Sequence, residues 1–435
     1  MARWFDEASM TSLCNGKTFG MARFLLGINY WPRRSAMYMW DRFDLGEVRE
    51  DFARIRSLGL SVVRFFLMWD VFQPHPDSVD PVALRRFDQM MDAIAGAGLR
   101  AMPSFFTGHM SGVNYLPAWV LDHHRPHGRF RTFGSRLQQY PWGAGNFYAR
   151  PLLDALAFQA RRVGERCKGH EALYLWDLGN EFSNLRAANS PGEAAGWSAR
   201  LAQELYDASG VESTAGNHGE DLTEDRGIRP SSFCAPLAHA VMHGYSVYSS
   251  FARSRTDPEV VPFLCQLWQS MSGKPVLFNE FGNPTCPPGT VSPYDRQPLP
   301  GDPPPDASRI PNNAASYACL TEAEMATYCY EVLDRLQRRG ALGGFWWNWA
   351  DYAVELAQTP PFDQAPHEMS FGIIRNDGTF KPVAHTLKQF AQEGRNVVPA
   401  PPPIVREDEW FATMDKAYQQ AMYEHYLTMH CAAHA

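Results

Sequence analysis

Long uninterrupted apolar runs are missing from this sequence, and nothing approaches the roughly 20 residues that a membrane-spanning helix needs. Residues 1–18 carry Arg3, Asp6, Glu7 and Lys17 where an export signal would be continuously apolar, so a cytoplasmic protein is expected. Lys and Arg form no cluster, and a net charge of -7 with a pI near 6.1 offers nothing to a phosphate backbone or an anionic bilayer. Nucleic acid and membrane surfaces are thereby set aside as partners, which leaves a neutral small molecule. Cys-x-x-Cys is absent too. The eight cysteines, at 14, 167, 234, 265, 286, 319, 329 and 431, make an even count that leaves disulfides open, but scattered over a large chain without an export signal they read as reduced thiols. The densest imidazole group, His123, His124 and His127, lies in loop-like sequence and reads as a solvated turn rather than a metal site.

What the chain does hold is apolar and aromatic mass, 45% and 13% of 435 residues, enough for the core of one large domain. After a polar leader (1–23), strands and helices alternate. Phe24 to Tyr30 reads as a strand halted by Trp31-Pro32, and Leu45, Val48, Phe52, Ile55 and Leu58 follow at helical spacing up to Gly59. Ser61–Met68 is a second strand, Asp80-Pro81 opens a helix that closes at Gly98, and Leu99–Phe106 is a third strand. A long aromatic and basic insertion, residues 107–150, precedes a helix from Leu152 to Cys167; such length signals a functional loop. The run Ala172–Leu178 is a fourth strand, delivering Asn180 and Glu181 at its end, and a helix over 194–208 leads to a short fifth strand, Val211–Gly216. A sixth strand is expected over 240–248 and a seventh over 275–282, the latter again ending in Asn-Glu, at Asn279 and Glu280. Residues 284–313, rich in Pro, Gly and Asp, form a structureless excursion expected to line a pocket. Thr321 and Glu324 make a capping box, Leu342–Trp349 is the eighth strand, and Lys381-Pro382 starts the eighth helix. Eight such alternations predict a closed parallel (β/α)8 barrel over 24–394. Residues 395–435 then supply a Pro-rich linker and an amphipathic helix, about Glu407 to His430, expected to pack back on the barrel rather than bind a partner.

In such barrels the chemistry sits where the strands end, at their carboxyl edge. Two strands that each end in a glutamate would set two carboxyl groups against one another across a pocket, the arrangement that hydrolysis of a glycosidic bond requires. Arg64 interrupts an apolar strand and cannot be buried alone, so a carboxylate partner is implied, either at the site or in a core ion pair remote from it. His109, in a Gly-rich turn just past strand three, by itself reads more often as a loop residue. His243 and Tyr245 alternate on the sixth strand and therefore share a face. Trp346, Trp347 and Trp349 are core mass, or, if one is open at the barrel mouth, a stacking platform for a sugar ring.

Taken together these residues resemble glycoside hydrolase clan A, and within it family 5, the family of cellulases, β-mannanases and exo-acting β-glucosidases and β-mannosidases. That family has an arginine on strand two, a histidine after strand three, Asn-Glu after strand four, His-x-Tyr on strand six, a glutamate after strand seven and a tryptophan on strand eight. Here they fall on Arg64, His109, Asn180 with Glu181, His243 with Tyr245, Glu280 and Trp347, and the likeness covers about 24–392. The long loops at 107–150 and 284–313 and the C-terminal tail depart from it. The resemblance implies a retaining β-glycosidase with Glu280 as nucleophile and Glu181 as acid/base, their carboxyl groups roughly 5 to 5.5 Å apart. Arg64 would lower the pKa of Glu280 and Tyr245 would hydrogen-bond it, while the charge on Glu280 would hold a proton on Glu181 until the glycosyl-enzyme forms. Asn180 would bind the sugar 2-hydroxyl, His109 and His243 would orient hydroxyls or carboxylates, and Trp347 would floor the subsite of the non-reducing sugar. No metal or other cofactor is required.

The favoured substrate is a short β-linked manno- or gluco-oligosaccharide cut from its end, because export is not expected and the long loops could close a cleft into a pocket. An endo-β-1,4-mannanase or cellulase is the alternative, for which Trp31, Trp69, Trp119 and Trp142 could line an open groove. A β-galactosidase of another clan A family shares the two-glutamate plan, and a non-catalytic sugar-binding barrel is the reading from outside the enzymes.

Overall fold

The computed structural model describes residues 22–134, 137–286 and 319–431. Most of the leader, with Trp4 and Phe5, and the Pro-rich excursion from 287 onward lie outside them.

Eight parallel strands form one sheet: β1 (Leu25–Asn29), β2 (Val62–Met68), β3 (Arg100–Thr107), then, beyond the insertion, β10 (Trp176–Asn180), β11 (Ser213–Gly216), β12 (Ala240–His243), β13 (Val276–Phe281) and β14 (Gly343–Trp346). Their order runs β11-β10-β3-β2-β1-β14-β13-β12. The two ends meet where His243 N donates to the Asn217 carbonyl (2.8 Å) and Ala238 N to that of Ser213 (2.9 Å), which closes the (β/α)8 barrel. Helices between strands start as the sequence suggests: Asp80 caps Pro81–Gly96 through its side chain, and Thr321 with Glu324 forms the capping box of Glu322–Arg338.

The inside of the barrel is built in layers by the period of two along each strand. Val62, Met102, Leu175, Val241, Leu277 and Phe345 form a closed apolar layer. Two residues further along, toward the carboxyl edge, stand Arg64, Ser104, Asp177 and His243, all fully buried. An apolar floor thus carries a polar layer on which the site rests. On β13 the simple period would bring Asn279 inward, but the pairing with β12 shifts register between Val241/Leu277 and His243/Glu280, an irregularity that brings Glu280 level with His243. A similar shift on β10, between Asp177 and Asn180, falls at Gly179, whose φ of 105° is closed to L side chains.

Several boundaries differ from expectation. β12 stops at His243 and the chain turns into a 3-10 segment at Ser246–Tyr248, so the alternation expected to carry Tyr245 is absent there. β14 ends at Trp346, leaving Trp347 and Trp349 beyond it. The insertion at 107–150 is not irregular: β4 (His109–Met110), β5 (Val113–Tyr115), β7 (Arg131–Phe133) and β8 (Gln139–Tyr140) make one small sheet, β6 (Leu121–Pro126) and β9 (Trp142–Ala144) another. The C-terminal helix is two, Glu407–Ala412 and Lys416–Cys431. Trp410 donates to the Leu222 carbonyl (3.0 Å), Tyr423 to Asp257 (2.8 Å) and Tyr426 to Glu259 (3.1 Å), so this tail lies on the barrel beside its fifth and sixth units. Cys286 and Cys319 form a disulfide, contrary to the expectation of reduced thiols; their Cα atoms are 4.7 Å apart, a proximity that 33 residues of separation conceal in the sequence. Cys167, Cys234, Cys265 and Cys329 are buried free thiols.

Candidate active site

Arg64 is the hub. Its Nε donates to Asp177 (2.8 Å), Nη1 to Asn29 Oδ1 (2.9 Å) and to Glu280 Oε2 (2.8 Å), and Nη2 to Asn180 Oδ1 (2.9 Å). The carboxylate partner implied by a buried guanidinium is therefore two carboxylates, and one of them belongs to the site. Close approach of backbones makes room for the guanidinium: a Cβ on Gly216 would stand 3.1 Å from Nη2 and 2.4 Å from the Gly179 carbonyl.

Glu280 is held at both oxygens, by Arg64 at Oε2 and by the Tyr245 hydroxyl at Oε1 (2.5 Å). Although the strand ended early, Tyr245 reaches the carboxylate from the turn that follows. Burial pushes the Glu280 carboxyl up; the charge of Glu181 adds to this, while His243, Arg64 and the Tyr245 hydrogen bond draw it down. Arg64 thus lowers the carboxyl as expected, but desolvation of a fully enclosed carboxylate outweighs its donors and the net displacement is upward.

Glu181 faces it. The residue adopts φ 45° and ψ 39°, a left-handed conformation that costs a non-glycine residue roughly 1–2 kcal/mol, and its N–H is fixed to the Gly216 carbonyl at 2.9 Å. Its side chain is only partly buried, with Oε1 3.2 Å from His243 Nδ1 and Oε2 accepting from Asn184 Nδ2 at 3.2 Å. His109 and His218 stand 3.9 Å from Oε2 on either side. One oxygen of Glu181, one of Glu280 and a nitrogen of His243 lie within 4.8 Å of one another, which is also the single metal-compatible grouping among the described residues.

Burial drives the His243 imidazole down to about 3, so the ring is neutral, and its position between two carboxylates assigns the proton to Nδ1. His109 is likewise lowered by burial, its Nδ1 2.8 Å from Asn114 Oδ1. Asn180 accepts from Arg64 and donates one amide hydrogen to the His109 carbonyl (3.0 Å), which leaves the other amide hydrogen uncommitted beside Glu181. Trp347 follows β14, almost buried, edge-on to Phe66 with centroids 5.8 Å apart. All eight residues singled out in the sequence thus gather at one end of the barrel. Asp177, Asn29, Ser104, Asn184 and His218 were not singled out; Asp177 breaks an apolar run as Arg64 does, and Asn217-His218 follow a strand as Asn180-Glu181 do. Trp31 and Trp69 are fully buried core, not groove wall.

Tyr245→Phe removes one hydrogen bond that favours ionised Glu280. The carboxyl then protonates at higher pH, an upward move of about one pH unit that a carbon-13 NMR titration of the Glu280 carboxyl would read.

The insertion after β3 crosses the mouth. At its tip Arg129 donates to Glu220 (2.8 Å), in the loop after β11, and Arg131 makes a two-pronged pair with Asp363 (2.7 and 2.8 Å), in the loop after β14. Between them Phe130 packs on His109, with ring centroids 4.5 Å apart. Ser111, on the same insertion, donates to Glu368 (2.9 Å), which also accepts from Tyr248 in the loop after β12 (3.2 Å).

The parallel eight-stranded barrel of this chain is the fold of solved glycoside hydrolase structures of family 5. Among solved structures, the exo-β-1,4-mannosidase Op5Man5 from Opitutaceae bacterium strain TAV5 is similar with a TM-score of 0.66 and 23% identity over 86% of this chain and 60% of that one. The GH5_18 protein of Streptomyces cattleya, solved with GlcNAc, gives a TM-score of 0.75 and 20% identity over 95% and 92%. GH5_18 from Bifidobacterium longum subsp. infantis gives 0.67 and 20% over 87% and 81%. No protein-family model and no curated protein sequence matches the chain.

Proposed function

We propose that this protein is a retaining β-glycoside hydrolase that removes a terminal sugar, of the mannose or glucose type, from short β-linked oligosaccharides. The observation that carries the reading is the unequal pair of carboxylates: Glu280 enclosed and held by Arg64 and Tyr245, Glu181 partly open and ringed by histidines, with oxygens less than 4.8 Å apart. Such closeness supports direct attack by Glu280, as in retaining enzymes, over the wider setting of roughly 6.5–9.5 Å between carboxyl groups that an inverting enzyme uses for its water.

The steps follow from the contacts. Glu280 Oε1 or Oε2 attacks the anomeric carbon while Glu181 gives its proton to the departing glycosidic oxygen; Glu181, now a carboxylate, takes a proton from the water that releases the sugar. Neutral His243 donates at Nδ1 between the two carboxylates and so follows the negative charge from one to the other. The free amide hydrogen of Asn180 is offered to the sugar 2-hydroxyl, and Trp347 floors the subsite.

The strap of residues 129–131 supports action at a chain end, since it is tied to loops on two other sides of the mouth and walls it there. An exo-β-1,4-mannosidase among the similar structures, and a complex of the Streptomyces cattleya protein with Manβ1-4GlcNAc, favour mannose as the sugar to test first. Hydrolysis of 4-nitrophenyl β-mannoside, β-glucoside and β-galactoside tests the proposal: one of them turns over and its product keeps the β configuration by proton NMR. Internal cutting of mannan or glucan oligosaccharides with no aryl sugar cleaved would instead make the enzyme endo-acting. Replacing both Arg129 and Arg131 by Gln should free the strap, raising KM for the aryl glycoside several-fold with kcat changed less, because exposed and half-exposed pairs hold a binding wall rather than the reacting groups.

A further inference from the structure

We infer that the segment after β11, from Asn217 to Arg226, positions Glu181, acting through the amide of Asn184 and the ring of His218; this rests on the reading of Glu181 as the acid/base. Arg226 Nη1 donates to Asn184 Oδ1 at 2.6 Å, which fixes the amide so that Nδ2 is turned to Glu181 Oε2 at 3.2 Å. Arg226 is itself held by Glu220 and by Glu224 (2.9 Å). On the other side the Ser183 hydroxyl donates to the buried Asp221 (2.6 Å) and therefore accepts from His218 Nε2 (2.9 Å), which sets His218 Nδ1 3.9 Å from Glu181 Oε2. Asp221 is anchored in turn by Asn217 Nδ2 (3.0 Å) and by the His218 backbone N–H (3.2 Å). The segment's backbone takes part in closing the barrel at Asn217, but the side chains of both arms end on the same carboxylate oxygen.

Asn184 donates to Oε2, a bond that the carboxylate accepts, while the rings of His109 and His218 stand 3.9 Å from the same oxygen. The segment is also joined to the substrate strap, because Glu220 takes Arg129 on one oxygen and Arg226 on the other. Trp410 of the C-terminal extension bonds the Leu222 carbonyl from behind, which gives that extension a part in holding the acid/base.

The test is the alkaline limb of the kcat/KM profile on the aryl glycoside, where loss of the general acid's proton ends activity. The charged and titratable groups facing Glu181 are His109 from β4, His218 from this segment, His243 and Tyr245 from β12 and the turn after it, and Glu280 from β13, with Arg226 and Glu220 behind Asn184. None of these changes in Asn184→Ser, which loses the donor. Removing a donor to the carboxylate lets the proton stay to higher pH, so the limb should move upward by about half a unit to one unit. Asn184→Asp, which adds a negative charge beside Glu181 and keeps an acceptor for Arg226, should move it further, and Arg226→Gln should move it the same way by freeing the amide. A limb that stays in place in folded Asn184→Ser and Asn184→Asp, with kcat lowered equally at all pH values, overturns the inference. Glu181→Ala, assayed with leaving groups of differing acidity, separates this from failure of the underlying reading: if its losses do not depend on the leaving group, the acid/base assignment itself is wrong.

Discussion

Glu280→Gln should lose activity on every aryl glycoside by a factor of at least about 10⁴, while unfolding at nearly the temperature of the parent. The substitution keeps the shape of the side chain and removes the anion that attacks the anomeric carbon in the proposed mechanism, in which no glycosyl-enzyme could then form. The site can accommodate the amide. Its oxygen can take the place of Oε2 against Arg64, and its NH2 group can then point at Tyr245, whose hydroxyl rotates from donor to acceptor. Stability and chemistry are therefore separable at this position. Glu181→Ala should behave otherwise. A general acid is worth roughly 10²–10⁴, most of it with a poor leaving group, so a dinitrophenyl glycoside should still form the intermediate and stall there. Azide, small enough for the space left by the carboxyl group, should then restore turnover and give the β-glycosyl azide. If Glu280→Gln retained a few per cent of activity, or if azide rescued it in place of Glu181→Ala, the two roles would have to be exchanged or given up.

The barrel and the facing glutamates at its carboxyl edge were open to sequence reasoning because both follow from periodicity and from position along a strand. Apolar runs closed by Gly, Asp-Pro or a capping box mark each strand and helix, and the residue after each run marks the carboxyl edge. That logic reaches Arg64, Asn180, Glu181, His243 and Glu280 without a structure. It does not reach the register shifts. With strict alternation Asn279, not Glu280, would stand above Leu277, and only the extra residue on β13 brings the glutamate level with His243. Nor does it foresee that Tyr245 reaches Glu280 after the strand has ended, since alternation was the wrong reason for grouping it with His243. His218 escaped because β11 is four residues of small side chains with little apolar signal, although the rule that found Asn180 applies to it unchanged. The conversion of residues 107–150 into two small sheets and a strap depends on pairs such as Arg131 with Asp363, distant in sequence and visible only in three dimensions. The same is true of Cys286 and Cys319.

Arg64→Met should be the most destabilising of the changes considered, by about 3–5 kcal/mol, because it leaves Asp177 and Glu280 in a closed interior with their shared cation gone. In a domain of roughly 400 residues that corresponds to a fall in Tm of about 5 °C. Activity should vanish as well, and the two losses have different causes. Asp177 is fully buried beneath the site; burial pushes its carboxyl up, and Arg64 and the Ser104 hydroxyl (2.7 Å) draw it back. It touches no position where a sugar could sit. Adding Asp177→Leu to Arg64→Met removes the stranded carboxylate and replaces a buried pair by apolar groups, a change that is often neutral or stabilising. The double variant should therefore regain much of the lost Tm while remaining inactive, since Glu280 and Asn180 still lack the guanidinium that orients them. Arg64→Lys should not rescue either property: one ammonium cannot span Asp177, Asn29, Glu280 and Asn180, which the planar guanidinium reaches at 2.8–2.9 Å. Recovery of activity in the double variant would show that Arg64 serves only the core pair with Asp177, and that Glu280 owes its charge to Tyr245 and His243 alone.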